Sequence, residues 1–208
     1  MFFNSLLLAI QKDLGADKFI IPDHFFKELK VDNPNEIFPE LIKVAVDQDM
    51  HLEISKHWNT FEDYAKALKK KYRNRLKGVI KKSEGIEIKV LTQAELVKHL
   101  EKIQELFENV HKNSAFGIRP FNTSIYTDLI YSDNPKCQVF AYFLADEMIA
   151  FSSELKDDNN LYSYFIGLDY RYNKSHRLYE RILYETIKSA IANKKGKLIL
   201  GRTAAEFK

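Results

Sequence analysis

The chain carries one cysteine, Cys137. An internal disulfide is therefore excluded, and a reducing, cytoplasmic setting is expected. No Cys/His spacing of the zinc-binding kind occurs, so a structural zinc site is not expected. Glycine and proline are scarce, with seven and five in 208 residues, which argues against a loop-rich or disordered chain. Neither a GxGxxG run nor a Walker lysine pattern occurs, so Rossmann and P-loop readings lose their main support. Long apolar runs are missing too. Near the N-terminus the longest, Leu6 to Ile10, is too short to span a bilayer, and no basic segment precedes it. Neither a transmembrane segment nor a signal peptide is expected. No local signature supports a Ser/His/Asp or Cys/His nucleophile set.

Aromatics are plentiful, with 15 Phe and 11 Tyr. The length fits one large domain, or one domain with an extension, and is enough to bury roughly 70% of the unfolded surface. The organisation read from the sequence is an N-terminal extension over 1–55 and a main domain over 56–208. Within the extension, Met1 to Leu14 has apolar residues at helical spacing, and Lys18 to Pro22 reads as a short strand. His51 to Ile54 reads as another.

Thr60 opens a long helix expected to run to about Lys82, with Phe61, Tyr64, Ala65, Leu68, Tyr72, Leu76, Val79 and Ile80 on one face. Its other face is basic. Nine basic and two acidic residues give this segment +7, whereas the whole chain is +3, so the rest of the chain carries −4. A solvated face explains such a run. That is the commoner reason for such a helix, and contact with a polyanion (RNA, anionic lipid head groups or a precursor pyrophosphate) is the functional alternative.

Ile86 to Leu91 alternates as a strand does. Thr92 and Glu95 form a capping box for a helix expected to reach Lys112. His111 falls in its last turn, where a cation suits the helix dipole. Thr123 to Tyr131 reads as a short helix. Cys137–Ala145, Met148–Lys156 and Leu161–Leu168 are strands joined by tight turns, which makes an antiparallel meander. Apolar residues on both faces call for helices on both sides of the sheet. Asp169 to Ser175 reads as a basic, tyrosine-rich loop. A helix from His176 to Asn193, capped by Ser175 or Asn173, and a strand from Lys197 to Leu200 complete the pattern. A strand feeding a helix N-terminus is a ready anion site, and Arg171, Lys174, His176 and Arg177 crowd it. A plain β-α-β connection with a solvated basic loop accounts for the same residues.

The run Gly167-Leu168-Asp169-Tyr170, then Leu178-Tyr179, then Gly201-Arg202-Thr203 and Lys208, resembles the GNAT-like N-acyltransferases of the peptidoglycan-biosynthesis and FemAB-related type. The resemblance extends upstream to about Trp58. It implies an α/β fold with a mixed sheet, of the GNAT acyl-CoA N-acyltransferase kind, here without the C-terminal helix and strands that follow in that fold. It implies acetyl-CoA or another acyl-CoA as cofactor, held by Gly167, Leu168, Asp169, Arg171, Asn173, Lys174, Ser175, His176 and Arg177. The glycine-rich pyrophosphate loop of that family is absent, since residues 170–176 contain no glycine. FemAB-like relatives often lack it too.

N-acyl transfer needs a group to take the amine proton and one to return a proton to the thiolate. Glu154, on the middle strand of the meander, is the candidate base. Tyr164, sharing a strand face with Tyr162, is the candidate acid. Arg202 is the candidate contact for an anionic substrate, or else pairs with Glu206. The expected partner is a small-molecule or peptide amine. Aminoacyl transfer from a charged tRNA to a cell-wall precursor and a non-catalytic binding module remain as alternatives. The abrupt ends of the chain lead to the expectation of a truncated domain with an uncovered edge, and hence of a homodimer.

Overall fold

The computed structural model describes residues 12–13, 33–37, 39, 42, 50–113, 122–131 and 136–201. Two compact units divide the chain, Met1–Val46 and Asp47–Lys208. Of the first unit, a four-residue helix spans Pro34–Ile37. The helix and strand expected within 1–14 and 18–22 lie outside the described residues, apart from helical Lys12 and Asp13. The second unit holds the remaining described elements.

Its centre is a six-stranded mixed sheet. The strands are β1 (Met50–Glu53), β2 (Glu87–Val90), β3 (Cys137–Leu144), β4 (Glu147–Lys156), β5 (Asn160–Leu168) and β6 (Lys197–Gly201), in the order β1-β6-β5-β4-β3-β2. Every neighbouring pair is antiparallel except β5 with β6. The meander β3-β4-β5 forms as its turn signals require; Ala145 and Asp146 take the left-handed backbone of a two-residue hairpin. The expected boundary near residue 55 falls within this unit, since β1 lies upstream of it and pairs with β6.

Helices cover both faces. On one side α4 (Leu100–Lys112) and α5 (Ile125–Tyr131) lie over Val139, Ala141, Phe151 and Phe165, with α3 (Gln93–Lys98) beside them. On the other, α7 (Leu178–Ala192) lies over Tyr142, Ala150, Leu161, Leu168 and Leu198, flanked by α1 (Phe61–Ala67) and α2 (Lys70–Lys82). Leu178, Ile182, Ile187 and Ile191 repeat at helical spacing and are all buried. Each such side chain is worth roughly 1.5–3 kcal/mol of transfer free energy, so this face holds α7 to the sheet.

Three helical expectations need correction. The helix read as continuous from Thr60 to Lys82 is two helices. Leu68 adopts an extended backbone between them (φ −64°, ψ 140°), and Arg73 reaches back to bond the carbonyls of Lys66 and Leu68 that the break leaves open. The helix read from Thr92 to Lys112 is interrupted at His99, which serves as the end of α3 and the start of α4. Residues 170–176, read as a loop, form a helix, α6 (Tyr170–His176), capped by Asp169, whose carboxylate accepts the Arg171 amide at 2.9 Å. The next helix starts at Leu178, and Asn173 is its side-chain cap, accepting the Tyr179 amide at 3.0 Å.

Candidate active site

The parallel pairing of β5 and β6 is brief. Asn160, Leu161 and Tyr162 face Lys197, Leu198 and Ile199. Beyond Tyr162 no described residue of β6 pairs with β5, although β5 continues to Leu168 and β6 to Gly201. Residues 163–168 stay laddered to β4, while the described pairing of β5 with β6 ends at Tyr162, so the two strands form a fork. Immediately past the fork β5 bulges. Ser152 pairs with Ile166 and Glu154 with Ser163, so Ser153 alone opposes Tyr164 and Phe165.

Opposite the bulge, three successive residues of β4 are polar and buried, namely Ser152, Ser153 and Glu154. Burying such groups is costly unless each is hydrogen-bonded. Each is. Ser152 Oγ meets the Tyr142 hydroxyl at 3.3 Å, Ser153 Oγ meets the Tyr126 hydroxyl at 2.7 Å, and Glu154 Oε2 accepts from Ser189 Oγ at 2.6 Å. Burial pushes the Glu154 carboxyl up to about 7, against the pull of Ser189 and Lys156. It borders a cavity of about 440 Å³ on the α7 side, with Phe140 and Tyr142 of β3 and Arg181 and Glu185 of α7 also in its wall.

Glu154 and Tyr164 are not brought together. Glu154 faces α7. Tyr164 lies beside Phe165, with ring centroids 4.4 Å apart, on the side covered by α4 and α5, and is 48% exposed. Tyr162 hydrogen-bonds Asp157 at 2.9 Å at the far end of the strand.

A second cavity, of about 460 Å³, opens where α2, α6 and α7 meet. It is lined by Arg75, Lys82, Asn173, Lys174, Arg177, Tyr179 and Glu180. Glu180 holds both Arg75 and Arg177. Burial raises its carboxyl, but hydrogen bonds from the two guanidiniums outweigh that and leave it below the usual carboxylate range. Among the described residues no ion pair holds Lys82 or Lys174, so these two keep their charge available there.

The other candidates from the sequence separate into two groups. Asn173, Lys174 and Arg177 line this basic cavity, whereas Gly167, Leu168 and Asp169 do not line it and are buried at the end of β5. Gly167 is where α4 crosses β5, and a Cβ there would stand 2.6 Å from the Leu106 and Phe107 backbone. Leu168 is a buried core residue. Asp169 is almost wholly buried, and a bidentate hydrogen-bonded pair with Arg171 lowers its carboxyl below the usual range. Arg171 also reaches Glu147 at 3.3 Å. Ser175 and His176 bond each other at 2.9 Å on the surface. Arg202 lies outside the described residues. Ser189, Glu185 and Arg75 carry no sequence signal of their own, because each is a polar residue on a helix whose neighbours are set only by packing.

Two solved structures share the fold at low identity. A conserved protein of unknown function from Bacteroides thetaiotaomicron aligns at 13% identity and a TM-score of 0.57, covering 95% of this chain and 66% of that one. FemX aligns at 11% identity and a TM-score of 0.58, covering 97% of this chain and 68% of FemX. This chain therefore spans about two thirds of the length of each. No curated protein sequence matches it. The family model described as an acetyltransferase (GNAT) domain matches residues 70–208, which include five of the six strands, the fork and both cavities. The chain belongs to the GNAT acetyltransferase domain family.

Proposed function

We propose that this chain is an acyl-CoA-dependent N-acyltransferase that acts on an amine acceptor. The observation that carries the reading is the fork. The pairing of β5 with β6 ends at Tyr162 while β5 runs on as strand to Leu168, and an extended amide-bearing chain entering where the two strands part can add to β5 as a further strand would. A bound acyl-CoA would supply a thioester carbonyl there. Its pantetheine part would lie along β5 where β6 parts from it. For the phosphates, Lys82, Lys174 and the first turn of α7 supply positive potential, although Glu180 offsets part of it. No glycine is needed for close approach at 170–176, because this segment is helical and the cavity beside it is already open.

One of the chain's own groups is placed for the proton work. Glu154, with its carboxyl near neutrality, accepts the proton of an amine entering from the α7 side. Tyr164, on the opposite face of the sheet, does not share that centre, so the leaving thiolate takes its proton from solvent. The test is calorimetric titration of the folded chain with acetyl-CoA and longer acyl-CoAs. Saturable heat is expected, and none at millimolar ligand overturns CoA use.

A second reading rests on α2. Lys70, Lys71, Lys77, Lys81 and Lys82 are all exposed, with no acidic residue on the helix, and Lys82 reaches the rim of the basic cavity. A charged tRNA as acyl donor would use that surface.

A further inference from the structure

The β5 bulge begins two residues past the last β5–β6 pair, so whatever holds the bulge also sets the lip of the fork. A bulge leaves backbone groups without ladder partners, and here those of Phe165 are taken by one side chain. Ser153 Oγ accepts the Phe165 amide at 3.0 Å and donates to the Phe165 carbonyl at 2.9 Å. A serine hydroxyl has one proton. With that proton on the Phe165 carbonyl, Tyr126 must be the donor in its 2.7 Å contact with Ser153. Ser153 and Tyr126 are both fully buried. Burial raises the tyrosine hydroxyl well above its ordinary value, which keeps it protonated as a donor. Tyr126 is itself fixed from the other side, since Thr123 bonds Gln104 of α4 through both its amide (3.0 Å) and its hydroxyl (2.9 Å) just before α5.

We infer that Ser153 and Tyr126 are positioning residues for the acyl cleft, clamping the Tyr164–Phe165 bulge so that the β5 lip stands in the register the fork requires. This rests on the fork being the acyl site. Without the clamp, the Phe165 amide and carbonyl lose the Ser153 hydroxyl that holds them. The strand can then relax only by exposing them or by slipping one residue against β4, which would turn the lip's side chains to the opposite face.

The test uses Tyr126→Phe and Ser153→Ala in the full chain, with Tyr142→Phe as the matched loss of a buried tyrosine hydroxyl on the opposite face, where it meets Ser152. Amide hydrogen exchange reads the Phe165 N–H directly, and calorimetry reads acetyl-CoA affinity. Tyr126→Phe is expected to speed exchange at Phe165 at least tenfold and to weaken acetyl-CoA about tenfold, while Tyr142→Phe leaves Phe165 exchange unchanged. Ser153→Ala, if it folds, is expected to show a larger effect on both. Exchange at Phe165 no faster in Tyr126→Phe than in Tyr142→Phe overturns the clamp. Faster exchange with acetyl-CoA affinity unchanged overturns its role in the cleft. Failure of the wild-type chain to bind acetyl-CoA overturns the acyl reading itself, and the exchange comparison distinguishes that failure from the first.

Discussion

Ser189 of α7 donates a 2.6 Å hydrogen bond to Glu154 of β4, so the helix meets the sheet through a carboxylate that is only 2% exposed. Burial outweighs the serine and holds the acid near 7 instead of its ordinary 4.5. Folding therefore favours the protonated form.

The sign of the resulting pH dependence follows. A carboxyl whose pKa is higher in the folded state adds its full stability below about 4.5, and that contribution is lost as pH rises through about 7. The loss amounts to about 3 kcal/mol from this group alone. Glu154→Gln removes the titration and keeps an acceptor for Ser189. Urea melts between pH 5 and pH 8 are expected to show the variant gaining on the wild type by that amount as pH rises. A stability difference that stays flat over the range would show that Glu154 is already ionised. If Glu154 is also the base, acyl transfer rises with a midpoint near pH 7 and falls at least a hundredfold in Glu154→Gln.

The α2 surface makes a separate prediction. Arg73 is committed to the Lys66 and Leu68 carbonyls and Arg75 to Glu180, so neither is the right residue to reverse. Lys70, Lys71, Lys77 and Lys81 are exposed. Changing these four to Glu is expected to abolish tRNA retardation at 100 mM salt and to cut the log–log salt slope of binding by about 3. Equal retardation of wild type and variant would leave the lysines as a solvated face.

Glu180 is the point at which the basic cavity is neutralised. Its folded pKa lies below the ordinary value, so the stability it adds is present above about pH 4.5 and is lost as pH falls through the folded value. Glu180→Gln is expected to cost about 1 kcal/mol at pH 7 after allowance for solvent screening. It should also tighten binding of acetyl-CoA or inorganic pyrophosphate severalfold by releasing Arg75 and Arg177. Denaturant melts and calorimetry check the two halves, and weaker anion binding in this variant would mean that the arginines need Glu180 to hold them in place.

Much of the sheet was legible because β3, β4 and β5 carry apolar residues on both faces and end at evident turns. The Thr92–Glu95 capping box was legible because its two contacts are local, and both form. The break at Leu68 was not, since neither glycine nor proline marks it and the stabilising contact comes from Arg73, downstream of the break. Helix α6 was hidden because seven polar and aromatic residues show no apolar period, and its cap, Asp169, suits the start of a loop as well as the start of a helix. Glu154 could be chosen as a carboxylate on the middle strand, but its face, its serine partner and its separation from Tyr164 depend on α7 and on the one-residue bulge. Neither leaves a trace in spacing along the chain.

Gly167 separates a cofactor role from a packing role. The resemblance assigns it to acyl-CoA, whereas its surroundings are the side chain of Phe151 and the backbone of α4 at Leu106 and Phe107. A methyl group there would meet the Phe151 ring at 2.3 Å and the α4 backbone at 2.6 Å. The ring can turn, but the helix backbone can only move away from the sheet, taking Ile103, Leu106 and Phe107 out of their packing. Gly167→Ala is therefore expected to destabilise the domain by about 3 kcal/mol or more, with the loss visible in thermal melts without any ligand. A cofactor role predicts the reverse pattern, an unchanged melting temperature with acetyl-CoA affinity lost. The two measurements on this one variant decide whether the glycine serves α4 or the acyl donor, and the geometry of the α4 crossing favours the helix.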